Sequence, residues 1–140
     1  MMDAMREAHA GVSPGIDAEQ VSRFRRHRFG KEKEKRFWEG IFTPRELARL
    51  AKFKDPYPHA AGVFTAKEAV IKSLSAFGKK TSFRDIEIRH EKDGRPRTIL
   101  RTAKGVECRV SISHTGDLAC AVALCRIIRV GTSLGNEVSK

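Results

Sequence analysis

The period of the hydrophobic pattern changes once along this chain, after Thr81. Before that point apolar residues recur every three or four positions, most clearly at Val63, Ala66, Val70, Leu74 and Phe77. After it they recur every second position in several segments. A period near 3.6 predicts amphipathic helices, whereas a period of 2 predicts half-buried strands. Helices followed by antiparallel strands indicate an α+β fold in which helices pack on a small antiparallel sheet.

Local signals predict where two of the helices begin. In the sequence FTPREL, Thr43 stands as an N-cap and Pro44 takes the first helical position. Glu46 follows three residues after the cap and completes a capping box. A second helical pattern begins at Asp17 with the sequence DAEQVSRFRRHRF, and Pro14 is expected to break any strand before it.

The strands are predicted from alternating apolar and polar residues. Ile86 and Ile88 alternate with charged residues, and the sequence DGRP at 93–96 predicts a turn. In the segment 106–113 the apolar residues occupy every second position, so one face of this strand is expected to be buried. The sequence LACAVALC at 118–125 is apolar on both faces, which is typical of a central strand.

Length and composition indicate a single domain over 1–140, with 1–11 and 130–140 expected to be loose. No apolar run approaches the ~20 residues of a membrane span, and the polar start lacks the apolar stretch of a signal peptide. A cytoplasmic protein with no membrane partner is therefore expected. The 28 Lys and Arg residues exceed the 17 Asp and Glu residues, which gives a net charge of +11. This charge predicts a polyanionic partner without identifying it.

The three cysteines are Cys108, Cys120 and Cys125. Their number is odd, and their spacing contains no C-x-x-C pair, which argues against a zinc site or a disulfide framework. Each lies in an apolar or alternating segment. All three are therefore predicted to be small buried hydrophobic residues.

The sequence FTAKEAVIKSL at 64–74 places charged residues within an apolar helical pattern. These charged residues can be explained by helix stability alone, because Glu68 and Lys72 have the i, i+4 spacing of a helix-stabilising pair. Thr65 and Glu68 also have the spacing of a capping box. Two other residues also have both a structural and a functional interpretation. Asp17 in GID is either a helix cap or a ligand, and His114 in SISHTGD is either a turn residue or a ligand.

The motifs GID, FTPREL, FTAKEAVIKSL, FRDIEI, DGRP and VSISHTGDLACAVAL follow one another in this order. In this order the chain resembles the holo-acyl-carrier-protein synthase family, the short single-domain 4′-phosphopantetheinyl transferases, over residues 12–126. The resemblance implies that family's fold and its reaction. The family transfers the phosphopantetheine arm of coenzyme A to a serine of an acyl carrier protein, uses magnesium, and releases adenosine 3′,5′-bisphosphate. It also implies a homotrimer with coenzyme A sites between protomers.

By this resemblance, Asp17 and Glu68 are expected to be the two carboxylate ligands of Mg²⁺, a cation that commonly binds one or two carboxylates together with substrate phosphate. Glu68 is expected to be the catalytic base that accepts the proton of the carrier serine, directly or through a metal-bound water. Lys72, one helical turn further on, is expected to stabilise the charge that develops on the phosphates.

The same resemblance implies two binding surfaces. Coenzyme A is expected to contact the side chains of Lys67, Lys72, Lys79, Lys80, Ser113 and His114. The acidic carrier protein is expected to dock on four arginines of the first helix, which are Arg23, Arg25, Arg26 and Arg28.

The sequence departs from the family at several places, and two of them affect residues near the nucleotide. Val63 stands where the family usually has arginine, and SAFGKKTS at 75–82 replaces a glycine-rich stretch. These departures keep open a second interpretation, a catalytically weak member that binds coenzyme A or a carrier protein. A third is a basic module that binds nucleic acid, which rests on the net charge and the aromatic residues near it. The helical spacing of those aromatics favours a core role, so nucleic acid is not the expected partner.

Overall fold

The computed structural model describes residues 11–128, which contain five strands and four α-helices. A strand and three short helices come first: β1 (Val12–Gln20), α1 (Ser22–Arg25), α2 (Lys35–Ile41) and α3 (Pro44–Leu50). A long helix and four strands follow: α4 (Tyr57–Ser75), β2 (Ile86–His90), β3 (Pro96–Leu100), β4 (Val106–His114) and β5 (Leu118–Ile127). Helices packed on small antiparallel sheets confirm the predicted α+β class.

The strands form a three-stranded antiparallel sheet in the order β1-β5-β4 and a separate hairpin of β2 and β3. The central position of β5 confirms the prediction for 118–125. Its inner face carries the small buried residues Ala119, Ala121 and Ala123, and α4 packs across this face. Because these side chains are short, the helix axis can approach the sheet closely.

An aromatic cluster fills the space between the short helices and α4. Phe24 and Phe42 are fully buried, and the Trp38 side chain is 3% exposed. The ring centroid of Phe24 lies 5.3 Å from that of Phe64 on α4 and 6.2 Å from that of Trp38. These aromatics therefore belong to the core, as their helical spacing predicted, and do not form an exposed platform for nucleic-acid bases.

The helix predicted from Asp17 is wrong, because residues 12–20 form strand β1 and helix α1 is confined to 22–25. β1 runs through Pro14, which was expected to interrupt it. β1 lies at the edge of its sheet, where a residue without a backbone N–H is tolerated. Asp17 is consequently a strand residue opposite Ala121, and its interpretation as a helix cap is also wrong.

The capping box proposed for Thr65 and Glu68 does not form, because α4 begins upstream at Tyr57. Thr65 lies in the interior of the helix, where its hydroxyl donates to the carbonyl of Ala61. Pro58 stands in the first turn, where a missing N–H costs nothing. The other predicted box does form: the Glu46 N–H donates to the Thr43 hydroxyl, and the Thr43 N–H donates to the Glu46 carboxylate.

The prediction that argued against a disulfide is also wrong. Cys108 of β4 and Cys125 of β5 are directly opposite in the antiparallel register, with their Cα atoms 4.0 Å apart, and their sulfurs are bonded. Both residues are buried as expected, whereas Cys120 is half-buried with a free thiol. The pairing depends on strand register, which Cys spacing alone does not reveal.

The segments predicted to be loose, 1–11 and 130–140, lie outside the described residues except for Gly11. None of the helices in the described range combines the length and the apolar character that a membrane crossing needs.

Candidate active site

Three of the predicted site residues lie together where β1 meets α4. Asp17 extends from the inner face of β1, and the Lys72 ammonium of α4 donates to its carboxylate at 3.1 Å. The same ammonium donates to the backbone carbonyl of Ile16, also at 3.1 Å. Glu68 lies one helical turn before Lys72, and the negative charge of Asp17 acts on it. Two carboxylates and one ammonium therefore converge, although 51 residues separate Asp17 from Glu68 (68 − 17).

A glycine permits this convergence. A Cβ atom on Gly15 would lie 2.0 Å from the carbonyl oxygen of Ala69, a distance that real Cβ contacts do not reach. Because Gly15 has no Cβ atom, the backbone of β1 packs directly against the backbone of α4. The Ser73 hydroxyl also donates to the Ser13 carbonyl at 2.5 Å and fastens the same contact. Because Gly15 precedes Asp17 by two residues, both face α4.

Electrostatics at this site favour a cation between the carboxylates. Burial raises the pKa of the Glu68 carboxyl, and the negative charge of Asp17 raises it further. Lys72 and Arg23 act in the opposite direction, but the pKa remains above its ordinary value. Two carboxylates on adjacent elements fit Mg²⁺ chemically, because this cation takes oxygen ligands and commonly binds one or two carboxylates. Within residues 11–128, no group of three or more His, Cys, Asp or Glu side chains could hold a metal ion.

Glu19 and Arg23 border this pair and were not predicted to take part in its electrostatics. Arg23 donates to the Glu19 carboxylate at 2.8 Å, and its guanidinium lies 4.7 Å from the ring centroid of Phe64. Their charges act on Glu68 in opposite directions. The signal that was overlooked is the strand period, since Glu19 follows Asp17 by two residues and therefore shares its face.

The prediction that Lys67 contacts coenzyme A requires correction, because its side chain is fully buried. Its ammonium donates to the Glu46 carboxylate at 2.6 Å and to the carbonyls of Ile41 and Phe83 at 2.7 and 2.9 Å. An ammonium has three N–H donors, so all of them are engaged inside the protein. Burial lowers the pKa of Lys67, and the charge of Glu46 opposes that shift. Lys67 therefore joins elements of the core.

Glu46 makes more contacts than the sequence predicted. Besides capping α3 and binding Lys67, its second oxygen accepts from the backbone N–H of Ile88 at 2.6 Å. It thus connects α3, α4 and β2. The capping box revealed only the first of these contacts, because the others come from distant parts of the chain.

His114 lies on the other flank of α4, whereas Ser113 precedes it by one residue in β4 and therefore belongs to the exposed outer face of the sheet. Asp17 and Ile112 are both opposite Ala121, so two strand spacings, about 10 Å, separate β1 from β4 at this level. The His114 ring lies 4.8 Å from that of His59, centroid to centroid. His59 and Glu68 are about 180° apart around α4. The structure thus leaves His114 on the opposite side of the helix from the carboxylate pair.

The remaining predicted residues lie near the two ends of α4. Lys79 and Lys80 follow its C-terminus, beyond a turn in which Gly78 has a φ of 71°. Of the four arginines, Arg23 and Arg25 belong to α1, whereas Arg26 and Arg28 follow it and are exposed. The guanidinium of Arg25 donates to both oxygens of Asp55, at 3.0 and 2.9 Å, so it is already paired.

Proteins of known function and structure are similar to this chain along most of its length. The sequence profile of the 4′-phosphopantetheinyl transferase superfamily matches residues 13–123. The holo-[acyl-carrier-protein] synthase of Caldanaerobacter subterraneus subsp. tengcongensis is 41% identical over 118 residues, which cover 79% of this chain and 91% of that protein.

Two solved structures with bound ligands show the same similarity. The holo-(acyl-carrier-protein) synthase of Bacillus anthracis, in complex with CoA (3′,5′-ADP), aligns with a TM-score of 0.68 at 29% identity over 82% of this chain and 96% of its own. The enzyme of Helicobacter pylori, in complex with coenzyme A, aligns with a TM-score of 0.65 at 32% identity over 79% of this chain and 96% of its own.

Proposed function

Because the chain belongs to the 4′-phosphopantetheinyl transferase superfamily, we propose that it transfers the 4′-phosphopantetheine group of coenzyme A to a serine of an apo acyl carrier protein. The observation that carries this proposal is the convergence of Asp17, Glu68 and Lys72 at the contact between β1 and α4. Adenosine 3′,5′-bisphosphate is the second product of this reaction.

Asp17 and Glu68 are the proposed magnesium ligands. Bound Mg²⁺ would offset the negative charge of the coenzyme A pyrophosphate and orient it for in-line displacement. Each carboxylate would supply oxygen ligands, the type that Mg²⁺ takes. The nearness of the two carboxylates supports this assignment, since the negative charge of Asp17 acts on Glu68 and raises its pKa beyond the effect of burial.

Glu68 and Lys72 have different proposed roles in the reaction. The carrier serine hydroxyl loses its proton to Glu68 as its oxygen attacks the phosphorus that bears the pantetheine. The bond to the bisphosphate then breaks, and Lys72 stabilises the negative charge on that leaving group. In the structure, Lys72 holds Asp17 and is 55% exposed, so phosphates can reach its ammonium.

A homotrimer is proposed as the active assembly, for two reasons. The residues proposed to bind coenzyme A lie on both flanks of α4, so one chain does not present them to a single ligand. In addition, the outer face of the β1-β5-β4 sheet is apolar, with five side chains 45–67% exposed: Val12, Ile16, Leu118, Val122 and Leu124. A contiguous apolar face of this kind is typical of a protein interface.

The carrier protein is proposed to dock near α1, because acyl carrier proteins are acidic and this helix follows the strand that carries Asp17. Arg23, Arg26 and Arg28 are the candidates for this contact. Arg25 is a weaker candidate, since its guanidinium is already bound by Asp55.

The direct test is to incubate the protein with coenzyme A, Mg²⁺ and an apo carrier protein and to measure the carrier by intact-mass spectrometry. We expect a gain equal to one phosphopantetheine group for the wild type and none for Glu68→Gln or for a reaction with chelator. Arg95→Gln is a suitable control, because Arg95 is a highly exposed residue of the β2–β3 turn. Retained coenzyme A binding without a mass gain would instead indicate a binding protein. Salt-sensitive binding to DNA or RNA with neither property would indicate a nucleic-acid module.

A further inference from the structure

A small pocket lies between the segment that precedes α2, α2 itself and α3. Its volume is about 180 Å³, and its apolar lining consists of Phe29, Trp38 and Leu47. None of its lining residues belongs to the sheet or to α4, and none is among the residues proposed above to take part in phosphopantetheine transfer. The pocket is therefore separate from the candidate active site.

Aromatic packing fixes the shape of this pocket. The Phe29 ring meets the Trp38 ring at 89°, with centroids 5.0 Å apart, and the Phe42 ring stacks on Trp38 at 5.4 Å. The backbone N–H of Phe29 donates to the Tyr57 hydroxyl at 3.0 Å, which holds the segment before α2 against the start of α4. The floor of the pocket is thus formed by contacts within the protein and does not depend on a ligand.

The indole N–H of Trp38 has no acceptor. Trp38 is 3% exposed, its Nε1 atom is buried, and that atom has no hydrogen-bond partner within residues 11–128. An indole nitrogen can only donate, and buried tryptophan N–H groups normally find a partner. The unpaired N–H of a residue that lines the pocket therefore favours a ligand that carries an acceptor oxygen.

Charge decides between an anionic and a cationic ligand. Four exposed charged residues complete the lining, and they are Lys31, Glu32, Lys35 and Glu39. In the described part of the chain, neither lysine forms an ion pair. The two lysines and two glutamates balance one another, but the segment 25–39 as a whole contains seven Lys and Arg residues and only three Glu residues. The surrounding potential is therefore positive and favours an anion.

We propose that this pocket binds a small monocarboxylate with an apolar body of about six carbons, a size that follows because a cavity of about 150 Å³ holds benzene. The apolar body packs on Phe29 and Leu47, and the carboxylate accepts from the Trp38 N–H. Lys31 and Lys35 attract the carboxylate from the rim. This binding needs neither coenzyme A nor a carrier protein, so it does not rest on the proposed function.

The indole N–H is itself the reporter for the test. Trp38 is the single tryptophan of the chain, so a nitrogen–proton correlation spectrum contains one indole signal. Hexanoate should be titrated into the full chain at about pH 7, where its carboxyl group is ionised. We expect the indole signal to move downfield with a dissociation constant of about 0.1–1 mM, as suits a ligand of this size.

Three matched probes separate the contributions of charge and apolar body. Acetate has the carboxylate without the body, hexanol has the body without the charge, and hexylammonium has the body with the opposite charge. Each should bind at least about fivefold more weakly than hexanoate, because each lacks one of the two features that the pocket recognises.

Variants test the individual contacts. Lys35→Gln should weaken hexanoate binding about threefold and leave hexanol binding unchanged. Lys33→Gln is the matched control, since it removes one charge from the same segment but Lys33 does not line the pocket. Trp38→Phe keeps an aromatic ring and removes the N–H, so it should weaken hexanoate about tenfold. Binding to that variant should be followed on the proton signals of the ligand.

The inference is overturned if hexanoate leaves the indole signal in place, or if acetate or hexylammonium moves it at the same concentrations. Equal weakening by Lys33→Gln and Lys35→Gln would also overturn it, because the attraction would then be a general effect of the basic segment. Wild-type affinity in folded Trp38→Phe would do the same. A chain that modifies its carrier normally but ignores hexanoate would refute this inference and leave the proposed function standing.

Discussion

Replacing Lys67 by methionine should destabilise the protein strongly while leaving the chemistry of the site intact. Methionine approximates the length of the lysine stem but removes its charge and donors. The Glu46 carboxylate, 2.6 Å away, would lose its counter-charge, and the carbonyls of Ile41 and Phe83 would lose their donor. Breaking a buried ion pair from one side costs about 3–5 kcal/mol. A domain's free energy of unfolding is only about 5–15 kcal/mol, so much of it would be lost.

Urea unfolding followed by fluorescence would measure this loss. Trp38 is the single tryptophan, is 3% exposed, and stacks with Phe42, whose ring lies 5.6 Å from the Lys67 ammonium. With a slope of about 2 kcal/mol per molar urea, the midpoint should fall by about 2 M. All variants should be compared at one protein concentration, because association adds to apparent stability.

Lys72→Met is the matched control, since it removes an ammonium from the same helix. Its ion pair with Asp17 is 55% exposed on the lysine side, so the loss should be below about 1 kcal/mol. The effects on activity should be the opposite of those on stability. At urea concentrations where it is still folded, Lys67→Met should retain turnover, whereas Lys72→Met should lose most of its turnover. Adding Glu46→Gln to Lys67→Met should recover part of the stability, because no buried charge is then left unpaired.

The reasoning fails if Lys67→Met unfolds at the wild-type urea concentration. It also fails if the folded variant loses coenzyme A affinity, because Lys67 would then contact the nucleotide after all.

Four further predictions follow from the same geometry. Since the pKa of Glu68 is raised, the folded state holds this proton more tightly than the unfolded chain, and stability falls as pH rises through the folded pKa. Glu68→Gln should therefore raise the urea midpoint at neutral pH, but not below about pH 4, where the side chain is neutral in both the wild type and the variant. Added Mg²⁺ should stabilise only the wild type, and an equal stabilisation of the variant would exclude Glu68 as a ligand. Gly15→Ala should lower the unfolding midpoint and the transfer rate together, because its Cβ would meet the Ala69 carbonyl at 2.0 Å; a normal rate in mass-spectrometric assays would show that the β1–α4 contact does not position the site. The double variant Arg23→Glu with Arg26→Glu should raise the Michaelis constant for the carrier more than that for coenzyme A, an effect that salt should reduce; unchanged carrier kinetics at low salt would place docking elsewhere. Val122→Glu introduces a charge on the apolar outer face of the sheet, so light scattering should show monomers with little activity; an active monomer, of either the variant or the wild type, would contradict the trimer.

The sequence alone determined the features that depend on neighbours along the chain. The stripe through Val63 and Val70 predicted helix α4, the alternation at 106–113 predicted β4, and Thr43 with Glu46 predicted the start of α3. Each of these signals lies within a few residues of the structure that it specifies, so the period and the cap can be read directly from the order of side chains. The family resemblance added the expectation that Asp17 belongs with Glu68, which no local pattern contains.

Tertiary structure decided everything that depends on a partner distant in sequence. Residues 17–20 have a helical pattern but form a strand, because β1 pairs with β5 along its whole length and α4 packs against it. Lys67 and Lys72 are alike in the sequence, yet the packing of α4 buries the first against Glu46 and leaves the second at the site. The bond between Cys108 and Cys125 required strand register. Long-range contacts of this kind override local propensity, because the free energy of burial and pairing exceeds the small differences in propensity between one residue and the next.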